Sequence, residues 1–170
     1  GLDVYRGDGN LVCALVEADA RTPGQGRGGG PGEDEQKNGV YCSRDRGDNW
    51  EQMSTTNNRP MYYSQIRIDP NDPERIYLGG SDLYRSSDGG RTFTNDAAAG
   101  VHLDHHALWI DPSNSDHLIL GSDGGLSVSW DRSDNWYQFR NLPIAQFYEI
   151  GIDSREPYHV CGGLQDNGSW

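Results

Sequence analysis

The chain is 170 residues long, enough for one ordinary domain, with 23 glycines and 34% hydrophobic residues. Lys and Arg total 14 against 26 Asp and Glu, a net charge of −12, and such a surface repels nucleic-acid phosphates and anionic membranes, so both are excluded as partners. No apolar run is long enough for membrane insertion as a helix. The composition suits an all-β chain of short strands and tight turns.

The first strands fall in "LDVYRGDGNLVCALV", two apolar-patterned segments around a Gly-containing turn. Residues 17–39 follow as a Gly-, Pro- and charge-rich insertion, expected to be a mobile loop, before "VYCSRDRGDNW" resumes the strand pattern. Next, "SQIRID" alternates, and "PNDPE" is a turn in which Pro fixes φ and Asp and Asn accept hydrogen bonds. "RIYLGG" and "LYRSSD" are a second and third strand, and "RTFTND" after a "DGG" turn is a fourth. "LWID", "HLILG", "LSVSWD" and "NWYQFR" repeat that order, and "EIGID", "HVCGG" and "GSW" begin it again. No stretch sustains a helical period.

Two markers fix the period. "SRDRGDNW" from Ser43, "SSDGGRTF" from Ser86 and "SWDRSDNW" from Ser129 lie 43 residues apart, and the closing aromatics Trp50, Phe93 and Trp136 keep that interval. Ile68, Ile110 and Ile152 form a second series at intervals of 42, with Val4 in the corresponding place at the start. A repeat of ~40–50 residues is that of a four-stranded propeller blade. The expected fold is therefore all-β, a β-propeller arc of about three and a half blades: 1–60, 61–103, 104–145 and a partial 146–170. Closed propellers need ~4–8 blades, and an arc leaves open sheet edges. The first unit opens inside a strand and the fourth breaks off before its third. The expectation is thus a piece of a larger propeller, completed by the same parent chain or another chain.

In the turn between third and fourth strands, Asp45, Asp88 and Asp131 can accept backbone N–H groups, and Gly47 and Gly90 supply positive φ. Ser133 stands in the third glycine's place, which suggests a looser turn, and the closing aromatics are expected to pack between blades. One carboxylate per unit at the same turn reads as scaffold rather than catalytic machinery. These segments resemble Asp-boxes, the turn motif of sialidase-type, sortilin-type and xyloglucanase-type propellers. "YYSQIRIDP", "DHHALWIDP", "LILGSDGG" and "GGLQDNGSW" look like blade signatures of bacterial secreted BNR-repeat, sortilin-like proteins. The resemblance implies an extracellular, periplasmic or cell-envelope location.

The connections between blades and the turns between second and third strands share one rim, where ligands bind. They gather Tyr62, Tyr63, Ser64 and Gln65; Asp104, His105 and His106; Gln146, Phe147, Tyr148 and Glu149; Ser122 and Asp123; and Gln165, Asp166 and Asn167. Aromatic faces beside amides and carboxylates suit a carbohydrate or a peptide strand, although the same residues could simply fill and hydrate a channel. Adjacent His105 and His106 point to opposite faces of a strand, whereas His102, Asp104 and His106 share parity, would lie on one side if the stretch is extended, and are the candidate metal ligands. The alternatives for the histidines are a channel wall bonded to Asp104 or a substrate-contacting role. Cys13, Cys42 and Cys161 match no zinc spacing; a Cys13–Cys42 bridge is open, but the burial habit of free cysteine points to small buried hydrophobes.

Three functions follow. The first is a binding or interaction module without cofactor. The alternative is a glycoside hydrolase, with Asp104 and Asp166 as candidate catalytic acids among rim carboxylates that include Asp123 and Glu149. The third is an assembly factor or accessory subunit of a membrane complex.

Overall fold

A computed structural model describes residues 1–18, 37–58, 63–142 and 145–166. Four antiparallel sheets follow one another along the chain. The first comprises β1 (Leu2–Val4), β2 (Val12–Val16), β3 (Gly39–Ser43) and β4 (Glu51–Ser54), in that spatial order. The second comprises β5 (Gln65–Asp69), β6 (Asp72–Gly79) and β7 (Tyr84–Ser86). The third comprises β8 (His105–Asp111), β9 (Asn114–Ser122), β10 (Gly125–Ser129) and β11 (Tyr137–Gln138), and the last pairs β12 (Gly151–Ile152) with β13 (Val160–Cys161). Among the described residues, no helix is long and apolar enough to cross a membrane.

The sequence repeat is a repeat of register. Val4 faces Val12, Ile68 faces Ile76, Ile110 faces Leu118 and Ile152 faces Val160, so the first hairpin of every unit closes alike. The second hairpin repeats too, with Val12 opposite Ser43, Ile76 opposite Ser86 and Leu118 opposite Ser129. The result is a partial β-propeller arc.

Period-2 alternation sends one set of side chains into each seam between sheets. Leu11, Cys13, Val40 and Cys42 of the first unit meet Ile66, Ile68, Ile76 and Leu78 of the second. Tyr77 and Leu83 of the second meet Leu108, Ile110, Leu118 and Leu120 of the third. Ile66, Leu78, Leu118 and Leu120 are each at most 1% exposed, and burial of such a side chain stabilises by roughly 1.5–3 kcal/mol.

Four expectations change. Cys13 and Cys42 form a disulfide rather than remaining thiols, because the β2–β3 register sets them directly opposite each other; only Cys161 is free among the three. The fourth strand of the second unit reduces to one bridge between Arg85 and Thr94, since Thr94 Oγ1 and the Arg85 guanidinium both bond Asp96 and the chain turns away there. Phe93 and Trp136 pack into seams, the latter's indole donating to the Ala97 carbonyl at 2.7 Å, but Trp50 is 42% exposed. Its sheet face has no neighbouring sheet among the described residues, and its indole N–H bonds the Gly47 carbonyl of its own turn. Finally, the Ser133 turn is not loose. Arg132 and Ser133 adopt φ of 60° and 75°, matching Gly89 and Gly90 at 69° and 88°, and Ser133 is 1% exposed. The segment "GSW" that ends the fourth unit and residues 19–36 of the expected mobile insertion lie outside the described residues.

Candidate functional site

The rim is organised by Asp104. It takes φ of 62°, the left-handed region, and a register shift lies between His105 and Ala107. The stretch is therefore not extended, and strand parity does not govern its side chains. The N–H groups of Asp104 and His105 donate to the Ser81 and Gly80 carbonyls at 3.0 and 2.7 Å. The Asp104 carbonyl accepts from Asp123 N–H at 3.2 Å. One connection is thus tied to the β6–β7 turn of the second unit and the β9–β10 turn of the third.

This geometry gives the adjacent histidines different surroundings. His105 is 2% exposed and its Nδ1 has no hydrogen-bond partner among the described residues. Burial lowers its pKa against the opposing pull of Asp82 and Asp104, which favours the neutral ring. His106 reaches the rim, its Nε2 2.8 Å from Asp123 Oδ1 and its ring centroid 4.4 Å from that of Tyr63. The Tyr63 hydroxyl donates to the Asp104 carboxylate. His102 lies apart, with Nδ1 3.0 Å from the Leu103 carbonyl. His102, Asp104 and His106 do not converge as a ligand set, and among the described residues no group of three or more His, Cys, Asp or Glu could hold a metal.

Beside this network a cleft of about 530 Å³ opens between the third and fourth units. Its polar lining includes His102, Asp123, Gln138, Arg140, Gln146 and Asp166, and Phe139, Leu142 and Leu164 supply apolar wall. Gln138 Nε2 donates to the Gly124 carbonyl at 2.9 Å, fixing the β9–β10 turn to β11. Gly124 also seats His102: a Cβ at this position would lie 2.3 Å from the His102 Cβ. On the opposite wall, Gln165 N–H donates to the Gln146 carbonyl at 2.9 Å, and Asp166 follows with φ of 55°. Asp123 belongs to both groupings, paired with His106 and lining the cleft.

The remaining rim residues divide. Phe147 bridges Leu164 through backbone and Tyr148 N–H donates to the Gly163 carbonyl, but their side chains, half exposed or more, do not line the cleft. Tyr62 and Asn167 lie outside the described residues. The rim residues singled out from the repeat omit Gln138, Phe139, Arg140 and Leu142, which it assigns to an outer strand and its exit, and Leu164, which opens the "LQDNG" turn. They line one opening between the exit of β11 and the segments that flank β12 and β13, a grouping that repeat position does not give.

The repeated turns are occupied by their own bonds. Ser43, Ser86 and Ser129 donate through Oγ to Asp45, Asp88 and Asp131 and accept the N–H of Gly47, Gly90 and Ser133. Hydrogen bonds from the Asn49 side chain and backbone hold Asp45 down to about 2, and the Asn135 side chain and backbone lower Asp131. At Asp88, burial pulls upward but bonds from Thr92 Oγ1, backbone N–H groups and Ser86 prevail, leaving it at about 2. None of the three carboxylates lines the cleft.

Chemically, the cleft offers acceptors at Asp123 and Asp166, donors at Gln138, Arg140 and Gln146, and apolar surface between them. That combination fits a polyhydroxylated ligand whose hydroxyls need fixed partners and whose ring faces need apolar cover.

No protein-family model matches the chain. An oligoxyloglucan-reducing end-specific xyloglucanase from Emericella nidulans is 32% identical over 103 residues, covering 51% of this chain and 13% of the xyloglucanase. Among solved structures, a GH74 enzyme from Niastella koreensis superposes with a TM-score of 0.63 at 16% identity, covering 98% of this chain and 26% of that one. A GH74 xyloglucanase from Xanthomonas campestris gives 0.58 at 16% identity with the same coverage. The chain therefore spans a small part of these proteins, and the structural likeness is one of fold.

Proposed function

We propose that this chain is a propeller segment of an extracytoplasmic carbohydrate-binding protein, its cleft between the third and fourth units binding a neutral oligosaccharide. The observation that carries the proposal is the convergence of Asp123, Asp166, Gln138 and Gln146 on one opening of about 530 Å³ with Phe139 and leucine walls. The GH74 likeness of the arc and the xyloglucanase relative favour a β-glucan or xyloglucan fragment over a peptide. The shared hydrogen bonds of the three Ser-x-Asp turns support reading them as Asp-boxes. The Cys13–Cys42 disulfide supports an oxidising, extracytoplasmic compartment.

A second reading, glycoside hydrolysis, is favoured by the same two carboxylates facing one cleft. A two-carboxylate mechanism needs them roughly 5–9.5 Å apart across the scissile bond.

The test is calorimetric titration of the purified protein with xyloglucan oligosaccharides, β-glucan oligosaccharides, sialosides and a peptide library, with product analysis. Asp123→Asn and Asp166→Asn each lose a charged hydrogen-bond acceptor, at about 1.5–3 kcal/mol, or roughly tenfold or more in affinity. Saccharide binding without turnover supports the binding module. Turnover abolished by either substitution replaces it with the hydrolase. Binding to none of the saccharides sinks both.

A further inference from the structure

We propose that the seam between the second and third units holds a small tetrahedral oxyanion, a sulfate or phosphate group, in a pocket built around Arg75, Arg85 and Arg132. The pocket has a volume of about 350 Å³. It is formed by the strand β6–β7 side of the second unit and the turn that follows β10 in the third. It shares no lining residue with the saccharide cleft.

Charge is the first argument. The chain has 14 Lys and Arg against 26 Asp and Glu, yet three arginines line this one pocket with a single carboxylate, Asp134. Arg85 is held by Asp96 at 3.1 Å and Asp134 at 2.6 Å, and Arg132 by Asp116 at 3.1 Å. Arg75 has no carboxylate within ion-pair distance among the described residues, and its buried Nε has no hydrogen-bond partner there. The Arg75 guanidinium is thus half-buried beside the Tyr77 hydroxyl, with no carboxylate partner among the described residues and two further guanidinium groups nearby, an arrangement that an anion completes.

The repeat supplies the second argument. By hairpin register, the places of Arg75 and Arg85 in the second unit are those of Leu11 and Cys42 in the first. In the first seam these positions belong to an apolar core and the disulfide. The arginines are thus not a scaffold requirement of the blade; at these two positions the first seam carries hydrocarbon and sulfur, and the second carries guanidinium groups. Ser87 lines the same pocket and adds a hydroxyl at its wall. Asp134 is 61% exposed, so it can yield Arg85 Nη1 to an incoming anion by swinging into water. A planar guanidinium presents paired donors that match two oxygens of a tetrahedral anion.

The group could arrive as a free inorganic ion or as an ester on a sugar, and the two are separable. The purified protein is titrated with sodium sulfate, sodium phosphate, glucose 6-sulfate and glucose, with ionic strength held constant by NaCl. The expected result is saturable binding of the anions that Arg75→Gln weakens, whereas any binding of glucose is unaffected by that substitution. Arg75→Gln weakens anion binding at least tenfold, and Arg75→Lys weakens it less. Tighter binding of glucose 6-sulfate than of sulfate identifies the ester as the source; equal binding identifies the free ion. Circular dichroism melting checks that each variant is folded, and Arg132→Gln, at the pocket's more exposed edge, replaces Arg75→Gln if that protein does not fold. Absence of saturation by every anion, or wild-type affinity in a folded Arg75→Gln or Arg132→Gln protein, overturns the proposal.

Discussion

Reduction of the Cys13–Cys42 disulfide removes a cross-link spanning 29 residues of sequence. In the chain-entropy account, closing a loop of that length costs the unfolded ensemble roughly 12 cal/mol/K, so the bond contributes about 3.6 kcal/mol at 25 °C. The native side changes little, because the two residues sit opposite each other in the β2–β3 pair and are 0% and 6% exposed, surroundings a thiol tolerates. Against a total stability of about 5–15 kcal/mol, that is a large share. Urea unfolding of the oxidised and reduced protein measures it directly, and the Cys13→Ala/Cys42→Ala protein serves as a permanent reduced form without a buried hydroxyl. The double variant should fall further than the reduced wild type by roughly 1 kcal/mol or more per lost sulfur, through lost packing. If reduction shifts the unfolding free energy by less than about 1 kcal/mol, loop closure is not what this bond supplies. Its conformational argument would then fail, although the pairing itself would stand.

Gly124→Ala forces His102 from its seat and should weaken saccharide binding about tenfold while leaving the cooperative unfolding transition in place; unchanged affinity would remove His102 from the cleft's working surface. Acid should destabilise the protein in two steps. His105 has a folded pKa below its unfolded value of about 6.5, so the unfolded chain binds the proton first and stability falls as pH drops below that value; His105→Gln should erase this step in pH-dependent melting. Asp45, Asp88 and Asp111 are held at about 2, below their unfolded values, so the stability they add is complete above about pH 4 and is lost as pH falls toward 2. Thiol titration of the native protein should find one reactive group, the exposed Cys161, and three after denaturation with reduction.

The repeat was legible because it is made of pairwise register. Each isoleucine of the 42-residue series has a fixed partner eight residues on, and a strand slipped by one would turn Ile68 or Ile110 out of its seam. The Ser-x-Asp turns were legible for the same reason, since their bonds run within a few residues of sequence. The disulfide was not, because nothing local distinguishes Cys13 and Cys42 from buried apolar residues; the β2–β3 register, reached across the long insertion, decides it. Nor did parity find the Arg75 pocket or the cleft residues Gln138, Arg140 and Leu142. Those depend on how one unit stacks on the next, and stacking leaves no period in a single chain. Ser133 gives the reverse lesson. Its missing glycine suggested looseness, yet burial in the seam against the second unit holds a non-glycine residue in the left-handed region that glycine takes elsewhere.

Two adjacent histidines, identical in sequence context to within one residue, end in different surroundings where the backbone turns at Asp104. With Asp104 at φ of 62° and the ladder shifted before Ala107, His105 turns inward beneath the Gly80 carbonyl that receives its N–H, and His106 turns out to Asp123. The first is buried, which favours its neutral form; the second meets a carboxylate that also faces the cleft. The same turn brings the Asp104 carboxylate to the Tyr63 hydroxyl, so a residue from the second unit, through Tyr63 and its ring contact with His106, braces the acid that the third unit presents. Asp123 is therefore positioned by two blades rather than one. Tyr63→Phe breaks the bond to Asp104 but keeps the ring, whereas Tyr63→Ala loses both, so the difference between their saccharide affinities measures how much of that positioning is packing. If Tyr63→Ala and wild type bind alike, the brace has no part in presenting Asp123, and the cleft is a property of the third and fourth units alone.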